Sequence, residues 1–192
     1  MTDINRCQWC SSDELYQTYH DTEWGVPTRD EHTLFEFLLL EGAQAGLSWI
    51  TILKKRENYR AAFNHFDAHK MAAYDQTKID QLLQNPGIVR NKLKVNGFVK
   101  NARAYLAMLD QGETLADFVW RFTDNKVIQN DFETLESIPS ETDISLQMSK
   151  ALKKRGFTFV GPTICYAFMQ AIGMVNDHTS DCFRYEACKN LS

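Results

Sequence analysis

One carboxylate in this sequence lies where an ionised side chain is unexpected. In the run LFEFLLLE, Leu34, Leu38 and Glu41 follow the spacing i, i+4 and i+7, which places them on one face of a predicted helix. Burying a carboxylate on such an apolar face costs on the order of several kcal/mol unless a partner compensates its charge. Glu41 is therefore either a helix-end carboxylate paired with a cation or a group that acts on a ligand.

Cysteine and histidine side chains near the two ends of the chain could form a metal site. Cys7, Cys10 and His20 lie in the N-terminal segment, and His178 and Cys182 have the i, i+4 spacing of one helical face. One cysteine and one histidine from each end would supply a Cys₂His₂ set, which suits tetrahedral zinc. The spacing leaves open which N-terminal thiol takes part, and the alternative is that these side chains are simply buried.

Aromatic side chains accompany these groups in the N-terminal segment. Tyr16, Tyr19 and His20 are spaced i, i+3 and i+4, so one short helix presents all three on one side. Trp24 follows, and the sequence Gly-Val-Pro at 25–27 predicts the end of this region.

Glycines after Glu41 predict a second helix close to it. Gly42 and Gly46 indicate a short break in the chain, and Ser48 is a suitable N-cap for a helix that starts at Trp49.

Residues 145–173 predict two helices joined by a short turn. The first helix ends in three basic residues, namely Lys153, Lys154 and Arg155. Gly156 and Gly161 bound the turn, and Pro162 suits the first position of the next helix, where its missing N–H costs no hydrogen bond. Free N–H groups at that helix start can bind a phosphate; the alternative is an ordinary corner between two helices.

Helical periodicity covers most of the chain. Helices are predicted over residues 30–41, 48–64, 67–73, 77–84, 90–110, 114–121, 145–155 and 162–173. Residues 122–143 predict an irregular connector, and strand-like alternation is almost absent. The sequence therefore predicts an all-α protein with one domain over residues 1–192.

Composition limits the class of protein. With 192 residues, 44% of them hydrophobic, the chain can bury a core. No apolar run reaches the roughly 20 residues of a membrane span, and the N-terminus lacks the apolar core of a signal peptide. We therefore expect a cytoplasmic protein that makes no membrane contact and whose five cysteines are free or metal-bound rather than disulfide-bonded.

Charge is distributed unevenly along the chain. The net charge of −4 argues weakly against a polyanionic partner. Residues 81–109 and 144–176, however, contain basic but no acidic side chains. Such segments fit a local contact with phosphates, and the alternative is that they form solvated helix faces.

Several long motifs resemble those of bacterial 3-methyladenine DNA glycosylase I. Besides Cys7 with Trp9, they are YHDTEWGVP at 19–27, EGAQAGLSWIT at 41–51, KKRENYR at 54–60, NARAYL at 101–106 and the block 151–178. The resemblance extends over about residues 6–182. Cys10 and Ala43 depart from the family pattern, and Cys188 lies in a divergent tail.

The resemblance implies a helix-hairpin-helix DNA glycosylase fold in which one structural Zn²⁺ joins segments 1–30 and 174–192. By motif position, the zinc ligands are Cys7, His20, His178 and Cys182. The residues that bind the base are Glu41, Tyr16, Tyr19 and Trp49, with Trp24 nearby. Gly46 and Leu47 enter the gap left by a flipped nucleotide, and the hairpin between Gly156 and Gly161, with its basic flank, grips phosphates.

The implied reaction is hydrolysis of the N-glycosidic bond of 3-methyladenine in double-stranded alkylated DNA, by a monomer that flips the base out. This base is cationic in DNA, so aromatic rings attract it and Glu41 supplies the counter-charge, with water as the nucleophile. Asp177 stands near the catalytic aspartate of other members of the superfamily, but support of His178 or helix capping suits it at least as well. Two alternatives are a non-enzymatic DNA-binding module held together by zinc and a helical enzyme acting on free nucleosides.

Overall fold

Helices form most of the structure. The computed structural model describes residues 4–10 and 12–191; residues 1–3, 11 and 192, which the predicted domain 1–192 includes, lie outside the described residues. The helices in the described part are α1 (Glu14–Thr22), α2 (Glu31–Gln44), α3 (Trp49–Ala62), α4 (Ala68–Ala72), α5 (Gln76–Gln84), α6 (Lys92–Asp110), α7 (Leu115–Trp120), α8 (Asp143–Lys154), α9 (Pro162–Ala171) and α10 (Arg184–Lys189). Short 3₁₀ turns occur at Gln8–Cys10, Asn64–Phe66, Arg121–Thr123 and Leu135–Ser137.

The predicted helices are confirmed, and two small elements are additional. Helix α10 was not predicted, and neither was a pair of two-residue parallel strands, β1 (Ile128–Gln129) and β2 (Val175–Asn176). An element of two residues contains no measurable alternation, so the sequence pattern could not reveal it. The pair joins the connector to the segment that precedes His178.

Helix α2 is the central helix of the fold. Its residues 34–43 are all buried, including both glutamates in that range. A helix that is apolar on nearly every side is stable when other helices surround it, and α3, α6, α7 and α9 all pack against α2. The side chain of Asp30 caps its N-terminus by accepting a hydrogen bond from the backbone N–H of Thr33 at 2.8 Å.

The predicted break at Gly42 is wrong, whereas the turn at Gly46 is present. Helix α2 continues through Gly42, where an added Cβ would lie 3.1 Å from the Cβ of Phe159. Gly42 therefore permits the close approach of the 155–161 turn. Gly46 has a φ of +76° and lies between α2 and α3. Ser48 is the residue before α3, but its hydroxyl bonds to that of Thr51 and caps no backbone N–H.

Helices α8 and α9 form the predicted helical hairpin. Its turn is tied to α6, because Asn101 accepts a hydrogen bond from the N–H of Thr158 at 2.8 Å and donates one to its carbonyl at 3.0 Å. It is also tied to α8, since the hydroxyl of Ser149 donates to the carbonyl of Val160 at 2.6 Å. Pro162 is the first residue of α9, as predicted. These bonds hold the turn in one conformation relative to α2 and α6.

Candidate active site and metal centre

A pocket of about 230 Å³ opens where α1, α2, α3 and α9 meet. Its walls are largely aromatic. It is lined by Trp9, Tyr16, Tyr19, Trp24, Glu41, Gln44, Trp49, Leu135, Ile138, Ala167 and Gln170. All five residues predicted to bind the base are therefore in one cavity. A space of this volume, walled by rings, fits a single flat heterocycle.

Local structure explains how the tyrosines and Trp49 reach this pocket. The side chain of Asp13 caps α1 by accepting hydrogen bonds from two backbone N–H groups, which fixes the start of the helix and the face that carries Tyr16 and Tyr19. Trp49 is the first residue of α3, immediately after the Gly46 turn. The rings of Tyr19 and Trp49 have centroids 5.6 Å apart.

Glu41 lies in this pocket and has no partner in the part of the chain that the structure describes. It is 4% exposed, and its carboxyl group makes no hydrogen bond or ion pair with the described residues. The cation that a structural helix-end carboxylate requires is thus absent from the part of the chain that the structure describes. Burial alone raises the pKa of Glu41 to about 8. Burial, and then the charge of Glu41, raise the pKa of Tyr16 to about 12.

Three hydrogen-bond donors on residues that line the pocket are buried and have no partner within residues 4–10 and 12–191. They are the indole N–H groups of Trp9 and Trp49 and the hydroxyl of Tyr19. Buried polar atoms in folded proteins are nearly always bonded, so such a group of unsatisfied atoms needs an explanation. Together with the unpaired carboxyl group of Glu41, they form a polar set that a ligand with matching atoms would satisfy.

A second cluster lies beside the pocket. The ligand atoms of Cys7, His20, His178 and Cys182 lie within 4.8 Å of one another, and all four residues are buried. Nδ1 of His178 is 3.6 Å from the sulfur of Cys7 and 3.6 Å from that of Cys182, while Nε2 of His20 is 3.5 Å from Cys182. Metal–sulfur bonds of about 2.3 Å and metal–nitrogen bonds of about 2.05 Å in a tetrahedron require N···S distances of about 3.5 Å. The cluster could therefore hold a metal ion.

The outer nitrogens of the two histidines are already bonded, which leaves the inner ones for a metal. Nδ1 of His20 lies 2.8 Å from Oδ1 of Asp21, and Nε2 of His178 lies 3.1 Å from the carbonyl of Trp24. Metal-ligating histidines commonly have this arrangement, because the outer bond fixes the tautomer and the ring orientation. The thiol of Cys10 instead donates to the carbonyl of Cys7 at 3.1 Å and is not in the cluster.

The two clustered thiols favour one shared negative charge. Hydrogen bonding to Cys7 lowers the pKa of the Cys182 thiol strongly, and hydrogen bonds with His178 and His20 lower it further. The same contact with Cys182 raises the pKa of Cys7. Thiolates are the form that binds metals, so a cation at this position would replace the shared proton.

The Cys₂His₂ cluster and the aromatic pocket are supported by the same side chains. The ring of Trp9 lies 5.3 Å from that of His20, and the ring of Trp24 lies 4.7 Å from that of His178. An added Cβ at Gly25 would lie 2.9 Å from Nε2 of His178, so only glycine fits there. The cluster thereby fixes two tryptophans that wall the pocket.

The predicted DNA-contacting turn lies at the rim of the pocket. An added Cβ at Gly46 would meet nothing within 4 Å, and Leu47 is 36% exposed. Gln44 connects rim and turn, since its side chain lines the pocket and donates to the carbonyl of Leu47 at 2.6 Å. Lys94, predicted as part of a basic patch, is instead buried and donates to the carbonyls of Ala43 and Ala45 at 2.8 and 2.6 Å.

The basic residues of the hairpin differ in whether their side chains are exposed or already paired. Lys153 and Lys154 are exposed on the last turn of α8. The guanidinium of Arg155 is paired with Glu113 and donates to Gln111 at 3.0 Å. Gly156 has a φ of +93°, and Gly161 is the N-cap of α9, with nothing within 4 Å of an added Cβ.

Asp177 is fully buried and does not line the pocket. It accepts three hydrogen bonds, from Tyr166, Gln170 and Asn130. It therefore has no direct access to a bound ligand, in agreement with a supporting role.

Sequence reasoning missed part of the pocket lining. The sequence pattern indicates Trp9 only as a neighbour of Cys7, and Gln44 only as part of a motif. Gln170 gave no signal beyond its helix. Leu135 and Ile138 come from the irregular connector, where no periodic pattern could assign them to a wall.

A mostly helical scaffold with an aromatic pocket, a carboxyl group that has no partner among the described residues and an adjoining Cys₂His₂ cluster suits the class of proteins that bind a flat, electron-poor ring. Within that class, the chain belongs to the methyladenine glycosylase family, whose model matches residues 9–185. The prediction made from the motifs is confirmed.

Individual relatives agree over nearly the whole chain. It is 53% identical over 186 residues to the DNA-3-methyladenine glycosylase 1 of Escherichia coli strain K12, covering 97% of this chain and 100% of that protein. A crystal structure of 3-methyladenine DNA glycosylase I matches with a TM-score of 0.92 at 55% identity, covering 93% and 98% of the two chains. The Staphylococcus aureus enzyme, solved to explain 3-methyladenine recognition, matches with a TM-score of 0.90 at 36% identity, covering 94% and 96%.

No helix within residues 4–10 and 12–191 combines the length and apolar character that crossing a bilayer requires.

Proposed function

We propose that this protein is a DNA-repair glycosylase that hydrolyses the N-glycosidic bond of 3-methyladenine in alkylated double-stranded DNA. The observation that carries the proposal is the unpaired, buried carboxyl group of Glu41 within an aromatic pocket. The family and the named activities of its relatives support the same reaction.

Charge complementarity explains both binding and selectivity. A 3-methyladenine base in DNA is cationic, so the rings of Tyr16, Tyr19 and Trp49 attract it by dispersion and by cation–π interaction. Glu41 gives up its proton and becomes the counter-ion that the cation requires. A neutral adenine would leave either a buried, uncompensated carboxylate or a protonated carboxyl group with a weaker attraction for the base, so undamaged DNA binds poorly.

The chemical step needs little activation of the leaving group. Breaking the bond between C1′ and N9 returns its electron pair to the ring, and the methylated base leaves as a neutral molecule. Water adds to C1′ and releases a proton. We assign Glu41 to recognition of the base and to stabilisation of the positive charge that passes from the base to the sugar in the transition state. Asp177 has no direct part in this step.

The turn at Gly46 and the α8–α9 hairpin are proposed to engage the duplex. Leu47, half-exposed beside the pocket, would fill the gap left by the flipped nucleotide. The N-terminus of α9, after Gly161, together with Lys153 and Lys154, would bind phosphates on the same strand. Arg155 stays a predicted phosphate ligand, although its guanidinium is already bound to Glu113.

A structural zinc ion is proposed at the cluster beside the pocket. Cys7, His20, His178 and Cys182 supply the donors and spacing that tetrahedral Zn²⁺ requires. With four protein ligands, the ion would have no open position, so its contribution is to join the two ends of the chain into a single domain, 1–192. We also propose a cytoplasmic monomer.

Release of free base from methylated duplex DNA, resolved by chromatography, tests the proposal. The wild type should release 3-methyladenine and leave 7-methylguanine in place, and Glu41→Gln should lose this activity while still binding DNA. Glu57→Gln, an exposed glutamate on α3, is the control. DNA binding without base release by the wild type would instead indicate the non-enzymatic module, and activity confined to free nucleosides would indicate the second alternative.

A further inference from the structure

Charge and stacking do not distinguish all methylated purines that the pocket could accept. A purine methylated at N3 is cationic in DNA whether it derives from adenine or guanine, so aromatic walls and a counter-ion attract both. The two bases differ at position 6, where adenine carries an amino donor and guanine a carbonyl acceptor. Discrimination between them therefore requires a group in the pocket that faces position 6 with either a hydrogen-bond donor or an acceptor, but not both.

Gln170 is such a group. Its side chain lines the pocket from α9, and its Nε2 donates to Oδ2 of Asp177 at 2.8 Å. A carboxylate offers no donor, so the amide cannot turn its carbonyl toward Asp177. Oε1 of Gln170 has no partner among the described residues, so this side chain keeps a free acceptor for a ligand in the pocket that it lines.

Asp177 is held in place by more than Gln170. The hydroxyl of Tyr166 donates to the same oxygen, Oδ2, at 2.6 Å, and Nδ2 of Asn130 donates to Oδ1 at 2.7 Å. Asp177 and Tyr166 are buried. The backbone carbonyl of Gln170 also accepts a hydrogen bond from Gly25 at 3.1 Å. Both the helix position and the amide orientation of Gln170 are thereby fixed before any base binds.

We propose that Gln170, oriented by Asp177, is an acceptor that selects purines with a 6-amino group and disfavours those with a 6-oxo group. The inference rests on the proposed function and deepens it. Gln170 touches the base and is a specificity-determining residue, whereas Asp177 is a positioning residue.

The test compares release of 3-methyladenine and 3-methylguanine from the same methylated duplex by the full-length, metal-loaded protein. The wild type should prefer 3-methyladenine. Gln170→Met keeps the length of the side chain but removes the acceptor, so kcat/KM for 3-methyladenine should fall roughly 10-fold to 100-fold, while that for 3-methylguanine should not fall. Gln81→Met, at an exposed glutamine on α5, is the matched control.

Asp177→Asn provides the second arm. The new amide can donate to Gln170, which can then present its own NH₂ group to the pocket, so the ratio of 3-methylguanine to 3-methyladenine release should rise above that of Gln170→Met. Quenching of tryptophan fluorescence by free 3-methyladenine and free 3-methylguanine gives the same ratio without catalysis.

Different results would overturn the inference about Gln170 and the proposed glycosylase function. Parallel losses for both bases in Gln170→Met, or an unchanged ratio in both variants, would show that Gln170 and Asp177 only support the fold and would overturn the inference. Absence of any 3-methyladenine release by the wild type would instead overturn the proposed function.

Discussion

Two buried glutamates on α2 should respond in opposite directions to replacement by glutamine. Glu41 is 4% exposed and has no partner among the residues that the structure describes, whereas Glu36 is 5% exposed and is paired with Arg60 at 2.6 Å. We predict that Glu41→Gln raises the free energy of unfolding at pH 7 and that Glu36→Gln lowers it. The comparison tests whether the carboxyl group in the pocket is maintained at a cost to stability.

The magnitude follows from the pKa of Glu41, which burial raises from 4.5 to about 8. Between these values the unfolded chain ionises while the folded protein keeps its proton. Stability therefore falls as pH rises through this window and levels off above it. At roughly 1.4 kcal/mol per pH unit, the wild type loses about 3 kcal/mol by pH 7 and about 5 kcal/mol above pH 8. Glutamine has no charge to bury, so the variant avoids this loss.

Glu36→Gln provides the matched comparison on the same helix. It removes one partner of an ion pair whose other member, Arg60, is 30% exposed at its side chain. Arg60 keeps its second partner, Glu57, so the loss of one of its two counter-charges should cost about 1–2 kcal/mol at pH 7.

Urea unfolding of the metal-loaded proteins, followed by circular dichroism at pH 4.5, 6, 7 and 8.5, measures both effects. Each variant is compared with the wild type at the same pH, so titration or metal loss common to both cancels. The gain from Glu41→Gln should be near zero at pH 4.5 and largest at pH 8.5. A variant no more stable than the wild type at pH 8.5, or a gain independent of pH, would refute the reasoning about the pocket.

Two further predictions concern the metal cluster and the rim of the pocket. Cys7→Ser should reduce bound metal and lower the free energy of unfolding by several kcal/mol, whereas Cys10→Ser should retain the metal. Elemental analysis measures the metal content, and urea unfolding measures the stability. Full metal content in Cys7→Ser would contradict the assignment of Cys7 as a ligand. Leu47→Ala should lower base release from duplex DNA roughly 10-fold while leaving the affinity for free 3-methyladenine unchanged, with Leu191→Ala as the exposed-leucine control. Equal losses in the two assays would show that Leu47 supports the pocket rather than the duplex.

Elements with strong periodicity could be predicted from the sequence, and close approaches between elements could not. The apolar run that became α2 is long enough for its period to be read directly. The sequence around Gly42 does not distinguish a glycine that ends a helix from one that lets a neighbouring segment pack closely against the helix. The neighbour, Phe159, lies 117 positions further along the chain, and its Cβ would lie only 3.1 Å from a Cβ added at Gly42. Only the packing of the hairpin against α2 distinguishes the two cases.

The candidate site shows the same limit. Spacing alone could not choose between Cys7 and Cys10, because the choice depends on a backbone turn that directs the Cys10 thiol to the carbonyl of Cys7. Lys94 reads as part of a basic patch, but its ammonium satisfies two carbonyls near the end of α2. Gln170 is one of several glutamines in the sequence, and the orientation of its amide is fixed only by the hydrogen bond to Asp177 in the folded protein.

Keeping polar groups without partners in the pocket costs stability, and the Cys₂His₂ cluster lies where it can offset that cost. On the residues that line the pocket, three buried donors and one buried carboxyl group lack partners in the described part of the chain. Each of these groups would gain a hydrogen-bond partner if the pocket walls moved so that they contacted water or one another. Trp9 and Trp24 belong to an N-terminal segment with little core of its own, and their rings lie against His20 and His178. A metal at the cluster would bind these walls to the C-terminal segment, so that the unsatisfied groups stay in place until a cationic base satisfies them.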